Sequence, residues 1–410
     1  MNNRNRTADV MSKNLTDKQK TYIEAVLLLF IILFALLLRL LFTFGIPNNV
    51  MSPDEKNYDA MTRQLLDTGV FGYMSVKPNA YVTPGYPLFL AAVYAVFGYN
   101  PTSPLMQVKI IQSVISAVTC LIVYLIGKKV RNKFTGFISA LVYAIYPTFA
   151  WSSSLILTEV LYNFFFLLYF YLQLLTLEKK SKTFSMICGI IFAAAILIRP
   201  LAFPLLVIPY IYYFWFVSRN RYIIKLFGYS LLGSLVLMVP WWARNIISTH
   251  RFILLATQTG NPLLAGAFPY FEKMNTSVTQ FKDQLSGGLQ IIINGFLTQP
   301  LLYLKWFTIG KLNIIFFKPW FYPGNNFSFL GSIVPIHYFI IVLGFIGLLF
   351  WTVRKNVRFF AVYTIMLTCL QLVFIPEPRY AYSIIPFLII AAACLLDYIF
   401  FRSREKAPGY

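Results

Sequence analysis

Acids are scarce in this chain. Of its 410 residues only 14 are Asp or Glu, against 35 Lys or Arg, and charged residues of both signs make up 12%. Soluble domains carry roughly 25%. With 58% hydrophobic and 18% aromatic residues, the composition argues against a soluble enzyme and predicts an all-α polytopic membrane protein. Histidine is nearly absent. His250 and His337 stand far apart, which leaves no basis for a His-rich metal site or a Ser-His-Asp triad. The four cysteines, Cys120, Cys188, Cys369 and Cys394, lie inside apolar runs without a CxxC spacing. They imply no disulfide framework and read as small core residues.

What the chain has in quantity is apolar runs. Ten read as membrane spans: 22–44, 105–127, 134–150, 155–177, 183–198, 200–217, 226–243, 332–353, 359–375 and 380–401. The first comes after a polar stretch, is longer than a signal-peptide core and has no small-residue cleavage site after it, so it is expected to be retained. This divides the chain into a tail 1–21, one transmembrane domain 22–401 and a tail 402–410. The run Thr83–Gly98 is also apolar but short, and is expected to lie on the surface as an interfacial helix.

The basic excess has a simple pattern. Lys128, Lys129, Arg131 and Lys133 share one short loop, Lys179, Lys180 and Lys182 the next, then Arg219, Arg221 and Lys225, and then Arg354, Lys355 and Arg358. Both tails are basic as well. In the ten-span arrangement all of these fall on one side, which the positive-inside rule makes cytoplasmic. The net charge of +21 therefore reflects topology, and no nucleic-acid partner is expected. Two large segments, 45–104 and 244–331, face the other way. The second holds Lys305, Lys311 and Lys318 among aromatics and reads as amphipathic helices lying on the membrane.

Charges that topology does not need are the informative ones. Asp54 and Glu55 open the first outer segment. Glu159 lies near the outer end of the fourth span. Arg199, Arg244 and Arg379 stand at outer span ends, and Arg39 near the outer end of the first, where it is expected to snorkel outward. Ionisable groups in spans are costly and usually face a partner or a cavity. Ser52-Pro53-Asp54-Glu55 is also a capping-box pattern, with Ser at the N-cap, Pro first and Glu third. That provides Glu55 with a structural task. Asp54 shares a helical face with Tyr58, Met61 and Leu65, so it is expected to point to the packed side, where burial favours a general base.

These motifs in their order, "PDExxY", "TPGYPLFLA", "TE", "IRP", "PWWARN", "TGNPLLAG" and a late "RY", resemble the bacterial branch of the protein O-mannosyltransferase and aminoarabinose lipid A transferase group. The resemblance runs from about residue 22 to 400. It implies a GT-C-like bundle of about ten transmembrane helices with surface helices on the outer face. It implies an inverting hexosyl- or pentosyltransferase of the plasma membrane, with both termini cytoplasmic. The sugar would move from a polyprenyl-phosphate donor to a glycan or lipid acceptor outside. In that group the acid of the first outer loop is the catalytic candidate, which is Asp54 here, with Glu55 beside it and Glu159 as the second acid. Tyr58, Arg199, Arg244 and Arg379 are the expected substrate contacts, the arginines suiting a lipid phosphate with their paired donors.

Aminoarabinose transferases carry a Glu-Lys pair where this chain has Val82-Thr83, so a lipid A acceptor is not expected. Nor is a protein acceptor, because the large luminal domain of the eukaryotic protein mannosyltransferases has no counterpart here. Asp54, Glu55 and Glu159 offer hard oxygen ligands for Mg²⁺ or Mn²⁺. Without a tight multi-acid motif no cofactor is firmly implied. The competing readings are a secondary transporter, whose charges would sit near the bilayer midplane, a polymerase or ligase of lipid-linked glycans, and a non-catalytic membrane protein that binds lipid-linked glycans.

Overall fold

The computed structural model describes residues 16–46, 51–272, 283–322, 334–351 and 355–401. The basic residues of both tails up to Lys13 and from Arg402, together with Arg354, lie outside them, as does part of the amphipathic outer segment. Every regular element among the described residues is a helix.

Helix α1 (Asp17–Gly45) is followed by two short helices, α2 (Pro53–Thr68) and α3 (Gly85–Phe97). At 13 residues α3 is about 20 Å long, too short for the ~30 Å hydrocarbon core, as expected of a surface helix. Then come α4 (Leu105–Val130), the bent pair α5 (Lys133–Ile145) and α6 (Pro147–Trp151), α7 (Glu159–Lys179) and α8 (Lys182–Ile198). A composite helical run, α9 (Pro200–Val217), leads to α10 (Tyr222–Thr249). Four short helices come next: α11 (Gly260–Ala267), α12 (Gln284–Thr298), α13 (Pro300–Lys305) and α14 (Lys311–Phe316). The last three are α15 (Val334–Trp351), α16 (Lys355–Val373) and α17 (Ile385–Phe401).

Six of these helices are long and apolar enough to cross a membrane, and the pair α5–α6, bent by 59°, makes a seventh. Three of the ten expected spans, those at 183–198, 359–375 and 380–401, appear as shorter apolar helices. The last is shortened because Pro378–Ser383 forms a separate 3₁₀ turn before α17.

Close helix contacts use small residues, as in other membrane bundles. A Cβ on Gly189 of α8 would lie 1.9 Å from the Ser230 carbonyl oxygen of α10, and one on Gly233 would lie 2.1 Å from that of Met186. Only glycine allows these two backbones to meet.

At one end of the bundle the basic loops are tied to the few acids there. Glu24 pairs with Lys128 and Lys133, Lys129 with Glu178, and Arg131 with Asp397. At the other end α1 carries Arg39, and the expectation that it snorkels outward is wrong. Its side chain is fully buried. Nε donates to Ser116 Oγ at 2.7 Å, and Nη1 to the carbonyls of Ala35 at 2.9 Å and Ala144 at 3.1 Å, while the guanidinium lies over the Tyr143 ring. The α5–α6 bend explains this. Pro147 has no N–H for the carbonyl four residues earlier, and Arg39 supplies donors to the carbonyls freed at the break.

Candidate active site

The site is assembled from five places: the first turn of α2, residues 151–158 with Glu159 at the start of α7, the end of α8, residues 320–322, and the strap 374–377 with the turn beyond it.

The first turn of α2 forms the expected capping box. The Ser52 backbone N–H donates to Glu55 Oε2 at 2.8 Å, and the Glu55 N–H to Ser52 Oγ at 3.4 Å. Glu55 does more than cap. Its Oε1 accepts the backbone N–H of Ile156 at 2.8 Å, and the residue is 3% exposed. It is the tie between α2 and the loop that leads to Glu159.

Asp54 corrects the sequence reading. Tyr58, Met61 and Leu65 do pack inward, but the Asp54 side chain remains 44% exposed. In a helix Cβ leans toward the N-terminus, so an acid in the first turn projects past the end of the packed face. It is Glu55 that faces inward, because the 155–157 loop passes beside it. Asp54 Oδ2 instead accepts from Arg379 Nη1 at 2.8 Å.

Arg379 is bridged. On its other side Nε lies 2.6 Å from Glu377 Oε2. Burial lowers the affinity of its guanidinium for a proton, but Glu159, Tyr380, Glu377 and Asp54 outweigh that and raise it above the ordinary arginine value. Tyr380 lies between two guanidinium groups, 5.5 Å from that of Arg379 and 5.2 Å from that of Arg199. Arg199, at the end of α8, donates to Glu159 Oε1 at 2.5 Å, and Glu159, buried in the first turn of α7, also accepts from Thr158 Oγ1 at 3.3 Å. An acid suits that position in the helix dipole.

A cavity of about 530 Å³ opens beside Asp54 and Arg379. Asp54, Glu55, Glu377 and Arg379 form its polar side, and Trp151, Trp320 and Tyr322 its aromatic side. Tyr58 packs edge-on against Tyr73 and Tyr86, at 5.5 and 5.1 Å between ring centroids. Burial raises its phenol pKa, so it stays neutral, packed against the core one turn from Asp54.

The structure thus brings together Asp54, Glu55, Tyr58, Glu159, Arg199 and Arg379, and leaves out Arg244. That guanidinium donates to the carbonyls of Asn79 at 2.8 Å and Phe71 at 2.6 Å and lies over the Phe71 and Trp241 rings. It holds the 71–79 loop. Lys311, expected on the surface, is buried. Sequence reasoning had no site role for Glu377, Tyr380, Trp151, Trp320 or Tyr322. The "PEPRY" spacing, with an acid two residues before the arginine and an aromatic after it, was the available signal for the first two.

The donors do not fit a divalent ion as arranged. Asp54 is held by Arg379, Glu55 by two backbone N–H groups and Glu159 by Arg199. Among the described residues no three His, Cys, Asp or Glu side chains stand close enough to share one.

The solved structures that this all-helical bundle resembles show its fold to be GT-C. Residues 78–243 match the family model described as dolichyl-phosphate-mannose-protein mannosyltransferase. That segment contains Glu159 and Arg199 and leaves Asp54 and Arg379 outside it. No curated protein matches the sequence. Among solved structures, the chain is similar to the archaeal oligosaccharyltransferase AglB from Archaeoglobus fulgidus in complex with an inhibitory peptide and a dolichol-phosphate. The TM-score is 0.58 at 16% identity, over 95% of this chain and 52% of that one. The apo form of the Archaeoglobus fulgidus oligosaccharyltransferase aligns at a TM-score of 0.57 and 15% identity, over 94% and 52%. ArnT from Cupriavidus metallidurans bound to undecaprenyl phosphate aligns at 0.47 and 12%, over 93% and 80%. The chain spans about half the length of the archaeal enzyme.

Proposed function

We propose that the protein is an inverting glycosyltransferase that moves a sugar from a polyprenyl-phosphate donor to an acceptor hydroxyl on the extracytoplasmic face. The observation that carries this is the Asp54–Arg379 pair on the wall of a cavity, with an acid half open to an incoming hydroxyl and a guanidinium beside it for an anion. The basic loops at the opposite end support the sidedness.

In this reading Asp54 accepts the acceptor's hydroxyl proton as that oxygen attacks the anomeric carbon from the face opposite the phosphate. The new bond is acceptor oxygen to anomeric carbon. The bond broken is anomeric carbon to phosphate oxygen, and its electron pair leaves with the polyprenyl phosphate. That leaving group is already anionic and needs charge stabilisation rather than a proton. Arg379 provides it with planar paired donors. The donor phosphate competes with Asp54 for this arginine, so donor binding releases the base. Glu159 holds Arg199 against Tyr380 and orients the donor end of the site.

The donor's tail has a place as well. An apolar cleft of about 320 Å³ lies behind the cavity, between α5, α15 and α17. Residues 319–322 separate the two, with Pro319 and Phe321 in the cleft and Trp320 and Tyr322 in the cavity. An isoprenoid chain suits the first and a sugar phosphate the second.

The test uses the purified full chain in proteoliposomes with radiolabelled polyprenyl-phosphate sugars and cell-envelope glycan or lipid acceptors. Release of polyprenyl phosphate with label in the acceptor supports the reading. An unconsumed donor together with movement of a solute gradient replaces it with a transporter.

A further inference from the structure

Lys311 is a buried cation that the proposed reaction does not use. It is the first residue of α14, and its side chain is fully buried. Nζ donates to the backbone carbonyls of Leu372 at 2.7 Å, Phe374 at 3.0 Å and Val373 at 3.4 Å. The ammonium also lies 3.7 Å from the centroid of the Phe307 ring. No carboxylate pairs with it among the described residues. A buried ammonium without an acid costs free energy unless its protons are bonded. Here three successive carbonyls at the end of α16 take them, where a helix has unsatisfied acceptors and the negative end of its dipole.

Beyond those carbonyls the chain runs directly into the strap that carries the site. Ile375 follows them, Glu377 ends the strap in extended backbone, and Arg379 stands two residues further on. The strap has a second anchor. Ile375 N–H donates to the Pro262 carbonyl at 2.8 Å. A Cβ on Gly266 of α11 would lie 2.4 Å from the Phe374 carbonyl carbon, so α11 is pressed against the same peptide. Trp306 Nε1 donates to the Gly266 carbonyl at 2.9 Å, which joins the α11 side to the segment bearing Lys311.

We propose that Lys311 is a positioning residue. By capping the end of α16 it sets where the strap departs, and so where Arg379 meets Asp54 and Glu377. Helices α11 and α14, with Trp306 between them in sequence, are then the mount of the arginine. A methionine would fill the same space without a charge, but it would leave the strap's departure point undefined. The catalytic consequence rests on the glycosyl-transfer reading, whereas the structural consequence does not.

Two readouts separate them. Hydrogen exchange on the full chain compares wild type with Lys311→Met. Exchange should rise in the peptide covering 372–380 and stay unchanged in 159–179. Unchanged exchange at 372–380 overturns the proposal, whether or not the protein transfers sugar. Transfer kinetics then complete a double-mutant cycle with Arg379→Gln. Lys311→Met alone should reduce kcat/KM roughly tenfold or more, as a misplaced site group does. In the Arg379→Gln background it should cost less than about twofold, because the group it positions is gone. Full, multiplicative losses overturn the positioning role. Should Lys311→Met fail to fold, Gly266→Ala presses on the same peptide from the other side. It should raise exchange at 372–380 and show the same non-additivity with Arg379→Gln; additivity there overturns the proposal equally.

Discussion

Replacing Glu55 separates the two adjacent acids by experiment. The carboxylate is 3% exposed and accepts two backbone N–H bonds, from Ser52 and from Ile156, each at 2.8 Å. The two donors are not equivalent. Ser52 is exposed, so water can replace the lost acceptor, while Ile156 is fully buried. Glu55→Leu leaves the Ile156 N–H without a partner, at about 1–3 kcal/mol, and removes one arm of the capping box, about 1 kcal/mol. Only the first of these, about 2 kcal/mol, couples α2 to the 155–158 loop, or roughly thirtyfold in local opening at 1.4 kcal/mol per decade. Glu55→Gln can turn its carbonyl to Ile156 and leave Ser52 to water, so the cost is the loss of charge assistance, about 1 kcal/mol. Hydrogen exchange of the peptide covering 155–158 reads this directly. It should accelerate roughly thirtyfold in Glu55→Leu and less than tenfold in Glu55→Gln. Sugar transfer should track the same order, with Glu55→Gln largely active. Abolished transfer in Glu55→Gln with unchanged exchange would show that Glu55 acts chemically, and the division of labour between the two acids would be wrong.

Arg379→Lys should lower kcat/KM by about 10- to 100-fold, because a point ammonium cannot bridge Asp54 and Glu377 as the guanidinium does; saturation kinetics showing wild-type values would refute the bridging role. Arg244→Met should speed limited proteolysis at residues 71–79 and leave the KM for donor unchanged, and the opposite pattern would return Arg244 to the donor site. Arg39→Met leaves buried carbonyls at the α5–α6 bend without donors, at a cost of about 2–4 kcal/mol, so its unfolding temperature in detergent should fall clearly below that of wild type. An unchanged temperature would contradict the bend-capping account.

The bundle was legible in the sequence because span length and basic loops are dictated by the bilayer alone. The surface helices 53–68 and 85–97 were legible from local signals too, one from its capping box and the other from its short length. The pairing of Arg379 with Asp54 was not, because it joins residues 325 positions apart and no local periodicity encodes such a contact. The roles of Arg39 and Arg244 were missed for a related cause. Each serves backbone carbonyls, which leave no trace in the identity of the residues that own them. Asp54 was placed on the correct helical face but given the wrong environment, since face arithmetic holds along a helix and fails in its first turn, where side chains lean past the end. Lys311 looked like one of three equivalent anchors, and only the end of a helix packed against it distinguishes it.

The measurement closest to the central claim is transfer from a labelled polyprenyl-phosphate sugar by Asp54→Asn in proteoliposomes, with the anomeric configuration of the wild-type product determined alongside. Asparagine nearly matches the shape of the aspartate and can still accept from Arg379, but it cannot take a proton at the acceptor hydroxyl. The account predicts an inverted product from wild type and a loss of kcat of at least about a hundredfold in the variant, within the range for a removed general base, while donor still binds. Full activity in Asp54→Asn, or retention of configuration in the wild-type product, would contradict it.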